Sequence, residues 1–462
     1  MSPDVDTIAA IATAPGAAGL AVVRVSGPDA LAVADAVFEG RTRPSEADAN
    51  TLHHGWAKEP GSATRVDEVV AAIFRAPRSY TREDVVEFSC HGGRLPAARL
   101  LDALLAAGAR LARPGEFTLR AFLHGRLDLA QAEAVADLID AETESARALA
   151  LSQLGGELSR RLDALTESLA DAAAEVEARV DFVEDVGGVE VPRHVIDAIA
   201  AGRRALDDLL AGAAYARAVR EGVRASLVGR PNVGKSSLFN ALVGEARAIV
   251  TERPGTTRDV VSEPIEIAGV RVTLADTAGL RDADDPVERL GVERAEAALD
   301  GSALVVWVVD GAAALTADDL AIARRLAGRR IVVALNKRDV AARVTAADVA
   351  ACLAPASIVE VSAKTGAGVA CLCGALADCM GAGRDAAPGG LAGAVGTPRH
   401  AEALERARAS MTRAAAAADE GRPGEIVAVD LREALRSIGE VTGRSVDVAL
   451  LDRVFERFCI GK

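Results

Sequence analysis

Eight residues, Gly229-Arg230-Pro231-Asn232-Val233-Gly234-Lys235-Ser236, have the types and spacing to hold a chain of phosphates. Two glycines with four residues between them, then a lysine and a hydroxyl residue, let a loop wrap a phosphate so that several backbone N–H groups point inward. Lys235 would reach the β and γ phosphates and Ser236 would hold Mg²⁺. Asn232, Val233, Gly234 and Ser237 belong to the same cradle. The apolar run Val223 to Val228 predicts a strand leading in. The spacing of Ser237, Leu238, Ala241 and Leu242 predicts a helix leading out, whose N-terminal end adds a positive field.

Further polar loops follow at strand ends. Pro254-Gly255-Thr256-Thr257-Arg258-Asp259 lies in a connection after the first helix, where a hydroxyl such as that of Thr257 completes the Mg²⁺ shell once a γ-phosphate is bound. A strand from Val270 to Ala275 ends in Asp276-Thr277-Ala278-Gly279. Asp276 can hold Mg²⁺ through water, and the Gly279 N–H can approach the γ-phosphate. A strand from Ile331 to Leu335 ends in Asn336-Lys337-Arg338-Asp339. The Asp339 carboxylate can accept from the ring N–H and the exocyclic amine of guanine, a donor pair that adenine lacks. After the strand Ile358 to Val361, the backbone N–H groups of Ser362-Ala363-Lys364 can meet the guanine oxygen. Any one of these is an ordinary polar strand end. All of them, in this order and each after a strand, predict GTP rather than ATP.

Two aspects of the hydrolytic step stay open at the level of residues. Many Ras-like switches place glutamine after the Gly279 position to orient the attacking water, and here Leu280 stands there. Glu288, opening the expected helix Val287 to Ala298, is either the group that acts on the water or an acidic helix start favoured by the dipole. The charge on the leaving phosphate is met either by Arg258 or by a monovalent cation held by Asn232 and carbonyls of the Thr251 to Thr256 loop.

Around this module, 462 residues favour roughly two to four domains. Half the residues are apolar and only 3% aromatic, so the cores must be built from Ala, Val and Leu. The net charge of −14 is not the usual footprint of a nucleic-acid binder. Six scattered cysteines without paired CxxC motifs argue against a zinc site and for reduced thiols in a cytoplasmic protein. No stretch is long and apolar enough to span a bilayer. Residues 1–119 predict an α+β domain, with strands at Ile8 to Ala12, Leu20 to Val25, Val69 to Phe74 and Val85 to Ser89 and helices at Asp29 to Phe38 and Ala97 to Ala107. Within it Arg24, Glu87 and His91 read as surface or salt-bridged residues. Residues 120–220 turn helical, the nucleotide module spans 221–381, and a linker rich in Gly and Ala leads into helical spacing again over 382–462. Helices on both sides predict a nucleotide module inserted into one helical domain.

In these motifs the chain resembles the MnmE (TrmE) family of tRNA-modification GTPases. The likeness covers GRPNVGKSS, TERPGTTRD, DTAGLRD, NKRD and SAK in the nucleotide module. It also covers EDVVEFSCHGG and RPGEFTLRAFLHGRLDLAQAEAVADLI nearer the start, and FCIGK at the end. The resemblance implies an N-terminal α+β domain that binds tetrahydrofolate and dimerises the protein, a helical domain, and an inserted Ras-like P-loop GTPase domain. It implies a complex with the FAD-dependent protein MnmG (GidA), as a heterotetramer or larger assembly. Together these install a carboxymethylaminomethyl or aminomethyl group at carbon 5 of the wobble uridine of certain tRNAs. The one-carbon unit would come from 5-formyl- or methylene-tetrahydrofolate.

By motif match, Arg24, Glu87, Arg126 and Lys462 would contact the folate. The family often has lysine at the Arg126 position; arginine keeps the charge and changes the donor geometry. Asn232, Thr251, Arg253 and Thr256 would hold K⁺, Ser236 and Thr257 would hold Mg²⁺, and Glu288 would act on the water. Glu252, Pro254, Gly255, Thr277 and Ala278 join the residues around GTP, and Cys459 would sit near the tRNA-modifying chemistry.

Overall fold

The computed structural model describes residues 6–181, 191–248, 262–276, 301–382, 391–446 and 448–462. The chain forms two compact units, Met1–Ala136 with Gly439–Lys462, and Asp137–Ile438.

The first unit starts with β1 (Ile8–Ile11), β2 (Leu20–Ser26), α1 (Ala30–Val37), β3 (Phe38–Gly40), β4 (Thr51–Lys58), β5 (Arg65–Phe74) and β6 (Val85–His91). It continues with α2 (Arg94–Ala106), β7 (Arg110–Leu111), α3 (Glu116–Leu123) and α4 (Leu129–Asp140), the last running across the division between the units. The strands form one sheet in the order β3-β4-β5-β6-β2-β1-β7. Alternation along β2 buries Ala21, Val23 and Val25 against Leu100 and Leu104 of α2. The same period turns Arg24 to the other face, where the β2–β6 register sets it directly opposite Glu87. Helix α2 begins three residues earlier than its apolar spacing suggests, at Arg94, because Pro96 fits within a first turn that needs no N–H there. Strand β4 alternates in burial, but Thr51, His53, Gly55 and Ala57 on its more buried side make no apolar pattern in the sequence. A Cβ at Gly55 would lie 2.4 Å from the Glu39 carbonyl oxygen, so the close approach of β3 requires glycine.

The second unit opens with α5 (Glu144–Leu154), α6 (Glu157–Asp181), α7 (Arg193–Ala211) and α8 (Ala213–Glu221). The nucleotide module follows as β8 (Val223–Val228), α9 (Lys235–Glu245), β9 (Arg247–Ala248), β10 (Ser262–Ile267), β11 (Val270–Asp276) and β12 (Leu304–Asp310). It ends with α10 (Ala317–Leu326), β13 (Ile331–Asn336), α11 (Ala346–Ala350), β14 (Ser357–Glu360) and α12 (Val369–Cys379). Then come α13 (Pro398–Asp419), α14 (Gly424–Thr442), which reaches into the first unit, and α15 (Val448–Phe455), which belongs to it.

The second sheet has the order β14-β13-β12-β8-β11-β10-β9, with β14, β13, β12, β8 and β11 mutually parallel. Helices on both faces explain why Leu304–Val309 is buried at every position rather than at alternate ones. The flanking helices pack through small residues, as the composition suggests. At Gly202 of α7 a Cβ would come within 2.6 Å of the Met411 methyl of α13.

The helices also grip the turn between β10 and β11. Tyr215 donates to the Ala268 carbonyl (2.8 Å), Thr143 donates to the Gly269 carbonyl (2.9 Å), and Arg271 pairs with Glu142 (2.9 Å). A Cβ on Gly269, whose φ is +77°, would lie 2.1 Å from Ser145 Oγ. The start of β11 is therefore tied to the helical part, and its other end carries Asp276.

The terminal segment Gly439–Lys462 packs with the N-terminal sheet, although its helical spacing groups it with the flanking helices. Phe455 and Phe458 are buried with Leu129 and Ala132. The tail then pairs with Pro114 through Ile460, and the Lys462 carbonyl accepts from Phe117 N–H (3.2 Å). Gly461 has φ +99°, and a Cβ there would meet the Ile11 carbonyl oxygen at 2.3 Å. Only glycine lets the last residue turn inward at this point.

Cys90 on β6 is buried, while Cys371 and Cys459 are exposed. Burial pushes the Cys90 thiol up to about 11. A raised value leaves little thiolate at neutral pH. Alkylation at pH 8 is therefore expected at Cys371 and Cys459 and not at Cys90 in the native protein, read by peptide mass mapping. Native-state labelling of Cys90 would contradict the packing of the first sheet.

Candidate functional site

The phosphate loop leaves the C-terminal end of β8, at the middle of the second sheet. Ligand crevices of open α/β sheets lie at these strand ends. Gly234 caps α9 with φ +96°, and a Cβ there would meet Asn336 Nδ2 at 2.4 Å. At Gly229 a Cβ would meet the Val308 carbonyl oxygen at 2.4 Å. Both glycines are needed for the loop to lie against its neighbours.

Lys235 is buried and folds back across the loop, donating to the carbonyls of Gly229 (2.9 Å) and Arg230 (2.8 Å). An ammonium that lies on carbonyl dipoles can exchange them for phosphate oxygens, which carry full charge.

Three loops are tied together here. Asn336, at the end of β13, donates from Nδ2 to the Val233 carbonyl (2.8 Å) and accepts at Oδ1 from Ala363 N–H (2.9 Å). Ser362 donates to Asp339 Oδ1 (2.7 Å). That hydrogen bond is the main reason the Asp339 carboxyl is held below its usual range, with the nearby Lys364 and Lys337 charges adding to it. Asp339 therefore stays an acceptor at neutral pH, as a guanine reader must.

Lys337, with φ +64°, donates to the Asn232 carbonyl (2.8 Å) and to Asp310 Oδ2 (2.7 Å). Asp310, at the end of β12, was not among the residues singled out from sequence. Its signal is an apolar strand ending in a single carboxylate. Arg230 of the loop likewise pairs with the fully buried Asp319 (2.7 Å), which also closes the capping box at the start of α10.

Ser236 and Ser237 lie in the first turn of α9, and Asp276 is the last residue of β11. The expectations for Thr251, Glu252, Arg253, Pro254, Gly255, Thr256, Thr257, Arg258, Thr277, Ala278, Gly279, Leu280 and Glu288 lie outside the described residues.

A second polar cluster forms in the other unit, around the end of the chain. Arg24 Nε donates to Glu87 Oε1 (2.7 Å), and Arg24 Nη1 reaches the Gly461 carbonyl (3.5 Å). The Arg24 guanidinium lies 5.1 Å from the Tyr80 ring centre and 5.4 Å from that of Phe117. Arg126 stacks on the same Tyr80 ring at 4.7 Å and donates to the Tyr80 carbonyl (3.1 Å). Burial, aided by the Arg24 charge, pulls the Lys462 ammonium below its ordinary value, while Glu87 acts the other way. Arg24, Glu87, Arg126 and Lys462, far apart in sequence, thus share one neighbourhood. His91 lies apart from them, bound to Asp67 (2.7 Å). Tyr80, the ring they share, was missed because a lone tyrosine in a loop carries no pattern.

A phosphate loop on the central strand of a parallel sheet, with Asn336, Asp339 and the Ser362 loop at the neighbouring strand ends, defines a P-loop GTPase domain. Two family descriptions match the chain, "GTP-binding protein TrmE N-terminus" over residues 7–126 and "MnmE helical domain" over residues 129–459. The tRNA modification GTPase MnmE of Symbiobacterium thermophilum is 48% identical over 460 residues, covering 99% of each chain. That of Heliobacterium modesticaldum is 45% identical over 468 residues, again covering 99% of each. The chain belongs to the MnmE (TrmE) family of tRNA modification GTPases. Its reaction is the hydrolysis of GTP to GDP and phosphate, with Mg²⁺ as the companion of the nucleotide. Among the described residues, no helix is long and apolar enough to cross a membrane.

Proposed function

We propose that this chain is a K⁺-stimulated GTPase which, as a homodimer and with an FAD-dependent partner of the MnmG type, modifies carbon 5 of the wobble uridine of certain tRNAs. The product would be the carboxymethylaminomethyl or aminomethyl form, made with a one-carbon unit from 5-formyl- or methylene-tetrahydrofolate. The observation that carries this reading is the meeting of Arg24, Glu87, Arg126 and the terminal Lys462 in a chain that also has a phosphate loop and, beside it, an Asp339 carboxylate placed by Ser362.

The donor set suits a folate. A carboxylate at Glu87 pairs with ring N–H groups of a pterin, and the cations at Arg24, Arg126 and Lys462 suit its carbonyl and its glutamate carboxylates. In the nucleotide module Lys235 trades its loop carbonyls for the β and γ phosphates. Ser236 and Thr257 would hold Mg²⁺, with Asp276 acting through water. Asn232 has φ +61° and an exposed side chain, while its carbonyl is taken by Lys337. An amide with no hydrogen bond to a described residue suits a monovalent cation, with Thr251, Arg253 and Thr256 completing the set. Such a cation supplies positive charge where the bond to the leaving phosphate breaks. Glu252, Pro254, Gly255, Thr277, Ala278 and Gly279 would line the phosphates, and Lys364 the base.

Glu288 is assigned to the attacking water, since Leu280 has no polar group for it. Glu288→Ala is expected to lower kcat by about 10²–10⁴-fold, with GTP affinity retained, read by phosphate release and by nucleotide titration. Normal turnover in that variant would return Glu288 to a helix-start role. The whole reading is tested by mass analysis of wobble uridines after deletion of the gene. Loss of the C5 modification is expected, and its persistence would reject the proposal.

A further inference from the structure

Beside the Arg24–Glu87–Lys462 cluster is a cavity of about 510 Å³, a size that suits part of a small-molecule ligand. Arg78, Arg82 and Arg126 line it together with Ser79 and Tyr80, and no carboxylate does. Elsewhere in the unit Arg24, Arg65, Arg99, Arg110, Arg113 and Arg120 each pair with Asp or Glu. Among the described residues, Arg82 donates only to the His124 carbonyl (2.8 Å) and Arg126 only to the Tyr80 carbonyl (3.1 Å). Arg82 is also held at φ +61°, a backbone region that side chains other than glycine seldom occupy. Ser79 Oγ is buried without a hydrogen-bond partner among the described residues.

We propose that this pocket receives the γ-linked glutamate tail of a polyglutamylated folate, so that the chain discriminates folates by tail length. The inference rests on the folate reading above, because the Tyr80 ring is the wall shared by Arg126 of the pocket and Arg24 of the cluster. A ligand seated on the cluster can reach the pocket along that ring. Each added γ-glutamyl residue brings one more carboxylate on an extended chain. Guanidinium groups spaced along a pocket match that pattern, since each can bind a carboxylate through two parallel N–H donors. The side chain of Arg78 is exposed and available for this pairing, and the Ser79 hydroxyl can donate to the same chain.

The test is calorimetric titration of the full-length protein with 5-formyl-tetrahydrofolate as the monoglutamate and as the triglutamate. We expect the triglutamate to bind about tenfold more tightly at low ionic strength, with the advantage shrinking in 0.3 M salt as screening grows. Arg78→Ala should bring the ratio of the two affinities close to one, and Arg78→Lys should restore part of it. Equal affinities for both folates in the unaltered protein would overturn the inference and leave the folate reading standing. Failure of both folates to bind would overturn the folate reading itself, and the inference with it.

Discussion

Asp339→Asn is expected to abolish selective GTP binding and to create affinity for xanthosine triphosphate. In the structure the Asp339 carboxylate is fixed by the Ser362 hydroxyl at 2.7 Å, in a loop that Asn336 ties to the phosphate cradle through Val233. Guanine brings two donors to that carboxylate. An amide in its place offers one acceptor and one N–H₂ group, so a guanine donor faces another donor. Two hydrogen bonds to a charged acceptor are worth about 3–6 kcal/mol together, so GTP affinity should fall by about two to four powers of ten. Xanthine carries a carbonyl where guanine has its amine, and the new amide can donate to it. The measurement is competitive titration with both nucleotides at neutral pH. Unchanged GTP affinity would mean that the base is read elsewhere.

Arg120→Ala should cost the N-terminal unit about 3–5 kcal/mol, the range for removing one partner of a buried ion pair. The Arg120 side chain is 3% exposed and pairs with Asp6 (2.6 Å), Glu83 (3.0 Å) and Glu116 (3.6 Å). Its removal leaves the buried Glu116 and the mostly covered Glu83 with less positive charge to offset their desolvation. The network also sets an acid limit. Burial alone would raise the Glu116 carboxyl, but hydrogen bonds from Arg110 and the Arg113 N–H, with the Arg110 and Arg120 charges, hold it below the usual carboxylate range. Asp6 is held down in the same way, chiefly by its hydrogen bond from Arg110.

A carboxyl lowered by folding stabilises the fold at full strength above its unfolded value. That contribution is lost as the pH falls through the folded value. The stability this network supplies should therefore be flat above about pH 5 and drop below it. Denaturant midpoints across pH for both proteins would test this. A loss under about 1 kcal/mol in the variant, as for an exposed pair, would contradict the buried network.

The nucleotide site was legible because its chemistry is local. Each loop follows a buried strand, and a few contiguous residues such as Asn336 to Asp339 announce it. Arg24, Glu87, Arg126 and Lys462 are legible only through family resemblance. Periodicity places Arg24 on the polar face of β2 but says nothing of the chain end that closes over it. Docking of that tail depends on Gly461 and on Phe455 and Phe458, contacts across more than three hundred residues that no local pattern encodes. Strand β4 was missed for the opposite reason, since Gly55 satisfies a neighbour's backbone rather than a strand propensity. Asp310 was passed over because a strand-end carboxylate gains its meaning only from Lys337 beside it.

The proposed K⁺-assisted, selective cleavage of GTP is reached most directly by one steady-state assay. Phosphate release by the purified full-length protein would be followed with GTP and with ATP, in KCl and in NaCl at equal ionic strength. Turnover of GTP well above that of ATP, and faster in K⁺ than in Na⁺, is the predicted result. Cleavage of ATP as readily as GTP, or equal GTP rates in the two salts, would contradict it.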